Sequence, residues 1–260
     1  MKSMGRTRKK IVFWTAVVVV ILFGTVGYLT MGGQQALPAR QEILPGVVQV
    51  KDGFVGIGII EAGHGRVVLI DAGNDAAGKV ILGEMAKRGL KVGDVSAIFL
   101  THGHPDHRRG VALFPRSAVY ILAADADLAV GKASPKGPLP RLLPNGDDHV
   151  RITRPLHDGE TVKVGAVAVR VFELPGHTAG SAAYLAGGAL FLGDAAMISP
   201  AGKLLGPKWI FSDDAEQGRR SLAILAHRLL GDPSVKAIVT SHAGALVSGL
   251  VPLEDFAAGR

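Results

Sequence analysis

The stretch IFLTHGHPDHRRG, residues 98–110, carries three histidines and an aspartate within six positions, directly behind a run of apolar residues. His102 and His104 are two apart, so in an extended segment their side chains project to the same side and can hold one cation. Asp106 and His107 are adjacent and must diverge, which suits them to a second centre nearby. Two cations need more than four donors. Further along, His177 stands in LPGHTAG, Asp194 in LFLGDA and His242 in IVTSHAG, and upstream Asp71 stands in VVLIDAG. Each follows an apolar run and lies next to, or one residue from, a glycine that lets the backbone turn tightly. Neutral imidazole and carboxylate suit zinc, and they also suit iron or manganese, so these residue types leave the metal open. Two such cations sharing a water would supply hydroxide at neutral pH.

Elements that end at these positions can be read from periodicity. Apolar or alternating runs predict strands at 47–50, 54–61, 66–70, 95–100, 117–122, 167–173, 181–185, 189–192 and 236–241. Helical spacing predicts helices at 75–89, 123–130 and 214–230, and the alternation of the two types means an α/β fold. The biased segment 131–148, GKASPKGPLPRLLPNGDD, reads as a surface loop.

Residues 11–29, IVFWTAVVVVILFGTVGYL, contain no charge and read as a transmembrane anchor. The run is longer than a signal-peptide core, and TMGGQQALP offers no convincing cleavage site; secretion after cleavage is the alternative. Lys2, Arg6, Arg8, Lys9 and Lys10 make residues 1–10 a basic tail, which the positive-inside tendency keeps cytoplasmic while the rest is exported across the inner or plasma membrane. Residues 30–46 are Gly/Pro/Gln-rich and read as a linker, with the folded domain over 47–260. Without the five bases of the tail, 24 Lys+Arg face 22 Asp+Glu, so the domain carries +2 where the whole chain carries +7. Such a domain offers no nucleic-acid stripe. The chain has no cysteine, which removes disulfides and thiolate ligands. No glycine fingerprint or phosphate loop suggests an organic cofactor.

The ordered set Asp71, His102-Gly-His104-Pro-Asp106-His107, His177, Asp194 and His242 resembles the metallo-β-lactamase superfamily of metal-dependent hydrolases, over nearly all of residues 47–245. The resemblance implies a four-layer αββα sandwich, here preceded by one N-terminal transmembrane helix. It implies two divalent metal ions, with zinc first and iron or manganese as alternatives. His102, His104 and His177 would hold one ion, Asp106, His107 and His242 the other, and Asp194 would bridge them. Asp71 would orient ligands from behind, and Asp106 would also act catalytically on the nucleophile or its proton. The implied activity is a membrane-anchored hydrolase acting on a small-molecule ester, thioester, lactone or amide.

Three other readings stand beside it: a mononuclear iron dioxygenase of persulfides, a β-lactamase, and a non-catalytic metal-binding relative. The family's Cys-ligand β-lactamases are excluded by the absence of cysteine, and those keeping the HxHxDH form generally lack a carboxylate such as Asp194. Hydroxyacylglutathione hydrolases carry a helical extension after the last histidine, where 18 residues stand here. Residues 198–214 should overhang the cleft and bring Lys203, Lys208 and Trp209 to substrate. His64, His149, His157 and His227 match no motif and read as surface residues, and Arg108 and Arg109 as ion-pairing residues of the helix after the site. The oligomeric state is open.

Overall fold

A computed structural model describes residues 6–260; Lys2 of the basic tail lies outside them. The chain divides into two compact units, one ending at Gln34 and one running Gln35–Arg260. The first consists of helix α1 (Arg6–Met31). Its stretch Lys10–Thr30 is long and apolar enough to cross a membrane, by length and composition. Thr15 and Thr30 donate their hydroxyls to the carbonyls of Ile11 and Val26 at 2.9 and 2.8 Å, so these polar atoms are met within the helix.

The second unit opens with β1 (Arg40–Leu44), β2 (Val47–Asp52), β3 (Val55–Glu61), β4 (Val67–Ile70) and α2 (Lys79–Lys87). There follow β5 (Val95–Phe99), α3 (Pro105–Arg108), β6 (Ala118–Leu122), α4 (Ala126–Ala129) and β7 (Arg154–Leu156). These seven strands form one sheet in chain order. It is antiparallel from β1 to β4 and parallel from β4 to β7. The remainder comprises β8 (Thr161–Val164), β9 (Val167–Glu173), β10 (Ala182–Ala186), β11 (Ala189–Phe191), β12 (Met197–Ile198), β13 (Leu204–Leu205), α5 (Ala215–Arg228), β14 (Ala237–Thr240), β15 (Gly244–Leu246) and α6 (Val251–Ala257). Six of these strands build a second sheet, ordered β15-β14-β11-β10-β9-β8, and β12 and β13 form a hairpin.

Strict alternation along the strands assigns the layers, since successive side chains point to opposite faces. Val68 and Ile70 of β4 and Phe99 of β5 share one cluster with Val169 and Val171 of β9, Ala182 and Tyr184 of β10, and Phe191 of β11, so this core fills the space between the sheets. Val67 and Leu69 instead pack with Ile81 and Met85 of α2. Ala183, Leu185 and Ile238 pack with Leu222 and Leu225 of α5 and Leu253 of α6. The result is helix, sheet, sheet, helix, the αββα sandwich expected from the resemblance.

The domain begins earlier than the sequence reading placed it. Residues 30–46 read as a linker, yet Arg40–Leu44 pairs with β2 through Arg40↔Val50, Gln41↔Gln49 and Glu42↔Val48. Ile43 is buried there, and Arg40 donates to the buried Glu84 of α2 at 3.1–3.2 Å. An edge strand exposes one side to water, which is why its polar composition resembles a linker. The predicted helix 75–89 starts at Lys79, because Gly78 before it is left-handed with φ 56°. The helix expected at 214–230 is α5, capped by Asp214, whose side chain accepts from Gln217 N–H at 2.8 Å.

A fragment of residues 47–260, which lacks β1, should melt roughly 5–10 °C below a fragment of residues 35–260, as expected for loss of the buried Leu37 and Ile43 and the Arg40–Glu84 ion pair from a domain of this size. Equal melting temperatures would show that β1 adds nothing to the sheet.

Candidate metal centre

Strands β4, β5 and β6 run parallel, and β9, β11 and β14 share a direction in the other sheet. The loops leaving their carboxyl ends carry the chemistry, as is usual for α/β domains. Asp71 follows β4, the segment 101–107 follows β5, Asp125 follows β6, His177 follows β9, Asp194 follows β11 and His242 follows β14. Gly103 must be glycine: a Cβ there would lie 2.8 Å from the Ala129 nitrogen. His104 caps α3 in extended backbone and Pro105 starts it, so Asp106 and His107 fall on one helical turn and diverge.

Nε2 of His177 lies 3.2 Å from Nε2 of His102 and 3.1 Å from Nδ1 of His104. A tetrahedral ion holding nitrogens at about 2.0–2.1 Å would space them about 3.3 Å apart, close to what is found. The outer nitrogens show which atoms face inward. Thr101 Oγ1 donates to the Asp71 carboxylate at 2.9 Å, so it accepts from His102 Nδ1 at 3.1 Å. Ser212 Oγ donates to the Lys208 carbonyl at 2.7 Å, so it accepts from His177 Nδ1 at 3.2 Å. His107 Nδ1 donates to Asp71 Oδ2 at 2.8 Å, and His242 Nδ1 to the Phe54 carbonyl at 2.7 Å. All four histidines therefore turn Nε2 inward. His104 is the exception: it turns Nδ1 inward, and its buried Nε2 has no partner within the protein.

Around the second centre, His107 Nε2 lies 3.5 Å from both Asp106 Oδ2 and Asp194 Oδ1. His242 Nε2 lies 3.0 Å from Asp194 Oδ2 and 3.8 Å from Asp106 Oδ2. Asp194 Oδ2 is also 3.7 Å from His177 Nε2, so this carboxylate reaches toward both groups. Buried His107 Nε2 and Asp194 Oδ1 have no hydrogen-bond partner within the protein. His102, His104 and His177 form one group able to hold a metal ion, and Asp106, His107 and His242 another. A third group, His102, His107 and Asp194, overlaps both, and this set of imidazoles and carboxylates fits divalent metal binding.

The two groups differ electrostatically. Burial, reinforced by the neighbouring imidazoles, holds His102 well below its ordinary pKa and lowers His104 to about 3. Burial lowers His177 to about 4 against the pull of Asp194. These three are neutral and ready to donate lone pairs. At His107 burial opposes the charged form, but Asp106, Asp71 and Asp194 together raise its pKa well above normal. His242 is raised in the same way, chiefly by Asp194.

Asp71 is 1% exposed, and its φ of 64° is rare for a residue with a side chain. Its carboxylate accepts from Thr101 N–H at 2.7 Å, from Thr101 Oγ1 and from His107, so one group steers His107 directly and His102 through Thr101. Several supports are not legible in the sequence. Asp125, buried to 1%, accepts from Gly103 N–H, Thr178 Oγ1 and Gly180 N–H at 2.7–2.8 Å and so joins the first loop to the one bearing His177. Phe54 adds ring stacking to its bond with His242, centroids 5.8 Å apart. Thr101 and Ser212 belong with them; of these, only Thr101, adjoining the motif, had any signal.

Arg108 is fully buried, donates to the Gly103 carbonyl at 3.0 Å and pairs with Asp148 at 3.0 Å, while Arg109 bonds Asn74. Residues 208–214 fold back on His177, through Ser212 and through Asp213 N–H, which donates to the His177 carbonyl. In that segment Trp209 is 55% exposed and Lys208 half-buried, while Lys203 is exposed in the β12–β13 turn. His64, His149, His157 and His227 are exposed.

Replacing Asp71→Asn should lower zinc affinity about 10–100-fold, the usual cost of losing a partner behind metal-bound histidines, as read by competition with a chelator. Unchanged affinity would show that Asp71 serves the fold alone.

The sequence model of the metallo-β-lactamase superfamily matches residues 50–243. A hydroxyacylglutathione hydrolase of Cupriavidus taiwanensis is 38% identical over 152 residues, 56% of this chain and 50% of that protein. The atrochrysone carboxyl ACP thioesterase AgnL7 of Paecilomyces divaricatus is 29% identical over 151 residues, 55% of this chain and 41% of that one. The chain spans about half the length of the curated relatives it matches. Among solved structures, the subclass B3 metallo-β-lactamase BJP-1 of Bradyrhizobium japonicum aligns with a TM-score of 0.62 and 17% identity over 88% of this chain and 93% of that one, a likeness of fold. By the match across residues 50–243, the chain belongs to the metallo-β-lactamase superfamily.

Proposed function

We propose that the protein is a membrane-anchored, metal-dependent hydrolase whose seven donors hold two divalent cations, zinc before iron or manganese, and whose substrate is a small-molecule thioester. The observation that carries the reading is the pairing of two donor groups, His102/His104/His177 and Asp106/His107/His242, with Asp194 reaching both. Thioesters are preferred over oxygen esters, lactones and amides because two of the relatives are named for acylglutathione and acyl-carrier thioester cleavage.

When bound, two cations supply a water of lowered pKa as nucleophile and polarise the substrate carbonyl. The chain's own groups then have distinct tasks. Asp194 keeps the two donor groups in register. Asp106 is the most exposed of the seven, its side chain 22% accessible, and so can orient the nucleophile and hand a proton to the departing thiolate. What burial it has raises the Asp106 carboxyl, but His107 and then His242 outweigh it and hold Asp106 well below the usual carboxylate range. Asp106 is therefore ionised and would first take, on a carboxylate oxygen, the proton that the attacking water gives up, and then pass that same proton to the departing thiolate. Lys208 and Trp209, on the segment that bonds His177, together with Lys203, are the proposed substrate contacts.

Helix α1 serves as the anchor, its basic end cytoplasmic and the hydrolase outside. The proposed organisation is a tail over 1–10, an anchor over 11–29 and a hydrolase domain that includes β1; removal of the anchor by cleavage is the competing arrangement.

The zinc-loaded chain should cleave an acylglutathione thioester faster than the matching oxygen ester, lose the activity to a chelator and regain it with zinc. Asp106→Asn should lower kcat at least about 100-fold. Full activity in that variant with full metal content would remove the proton-handling role. Oxygen uptake with a persulfide by an iron-loaded chain, without hydrolysis, would replace the reading by the dioxygenase.

A further inference from the structure

Between the two sheets lies a narrow cavity with room for about one water molecule. Its wall touches the supports of the metal centre: Thr101 precedes His102, Gly193 precedes Asp194, Ser241 precedes His242, and Asp71 holds His107. The space exists because small residues line it. A Cβ at Gly58 would meet the Phe191 ring at 2.6 Å, and one at Gly193 would meet Thr101 at 2.7 Å.

Gln49 of β2 is part of the same wall and is 2% exposed. Its Nε2 donates to the Thr240 carbonyl at 2.9 Å, which ties the first sheet to the end of β14, two residues before His242. Its Oε1 is buried and finds no donor within the protein. Asp71 accepts from Thr101 N–H, Thr101 Oγ1 and His107, three donors for a carboxylate with about four acceptor sites. Two acceptors, Gln49 Oε1 and the Asp71 carboxylate, thus border one small space and offer it no proton. A water, with two O–H donors, is the species that satisfies both.

We propose that Gln49 is a positioning residue for the metal centre, holding one water that donates to Gln49 Oε1 and to the Asp71 carboxylate. That water fixes the carboxylate against His107 and Thr101, and Asp71 in turn fixes donors of both centres. The inference rests on the reading of the seven donors as a metal centre.

The test is zinc affinity of the full-length chain in detergent, measured by competition with a chromophoric chelator at a temperature where every variant is folded. Gln49→Leu should bind zinc about tenfold more weakly, in line with other outer partners of metal ligands. Gln49→Glu, protonated in this buried place beside Asp71 so that its O–H can donate to the Thr240 carbonyl while its other oxygen accepts from the water, should stay within about threefold of the unaltered chain. Loss of affinity in neither variant, or equal loss in both, would overturn the proposal and leave Gln49 as a clamp between sheets. If Gln49→Leu does not fold, a high-resolution crystal structure of the unaltered zinc-loaded protein decides: an ordered water between Gln49 and Asp71 supports the proposal, and a dry cavity overturns it. Failure of the unaltered chain to bind zinc would strike the metal-centre reading itself, whereas good binding with an indifferent Gln49→Leu would strike only this inference.

Discussion

The Nε2 of His177, held 3.2 Å from that of His102 and 3.1 Å from Nδ1 of His104 so that three imidazole lone pairs converge, is the constraint on which the rest of the structure depends. Left alone, such atoms would turn away or bind protons. Burial blocks the second escape, holding His104 and His177 at about 3 and 4, and the bonds on their far nitrogens block the first at His102 and His177. A cation resolves what the protein itself leaves unmet, including the buried Nε2 of His107 and Oδ1 of Asp194.

Holding those rings is the work of the fold. Two sheets bring six carboxyl strand ends to one edge, and the largely apolar layer between them fixes the distance across which the loops face each other. Buried carboxylates then tie the loops together. Asp125 joins the loop of His102 and His104 to that of His177, Asp71 joins β4 to His107 and Thr101, and Asp52 accepts from Asn74 and Asp75 N–H at 2.7 Å beside the hairpin tip that presents Phe54 to His242. Each of these acids satisfies at least one backbone donor, and Asp71 and Asp125 satisfy side chains as well, so removal of any one strands several groups at once.

Much of this was legible in the sequence, for definite reasons. Nine strands were read from apolar runs because central strands are buried on both faces, as in β3 and β10. The seven donors stood out because His and Asp are clustered at strand ends, where a purely structural protein has no need of them. What escaped notice was what lies at the margins. β1 reads RQEIL and buries only Ile43, so its composition is that of a linker. β7, β8 and β15 are short edge elements, and α6 is a brief helix with a proline in its first turn. The supports were hidden for another reason: Asp125, Ser212 and Gln49 are ordinary polar residues whose importance comes from partners 22 to 191 positions away. Spacing along the chain carries no trace of such contacts.

The central claim is that the seven donors form a centre for two divalent ions, and elemental analysis of the purified full-length chain tests it most directly. The account predicts about two zinc atoms per chain, falling to one or fewer in Asp194→Ala, whose missing carboxylate reaches both groups. A single tightly held iron, or no retained metal in a folded chain, would contradict it.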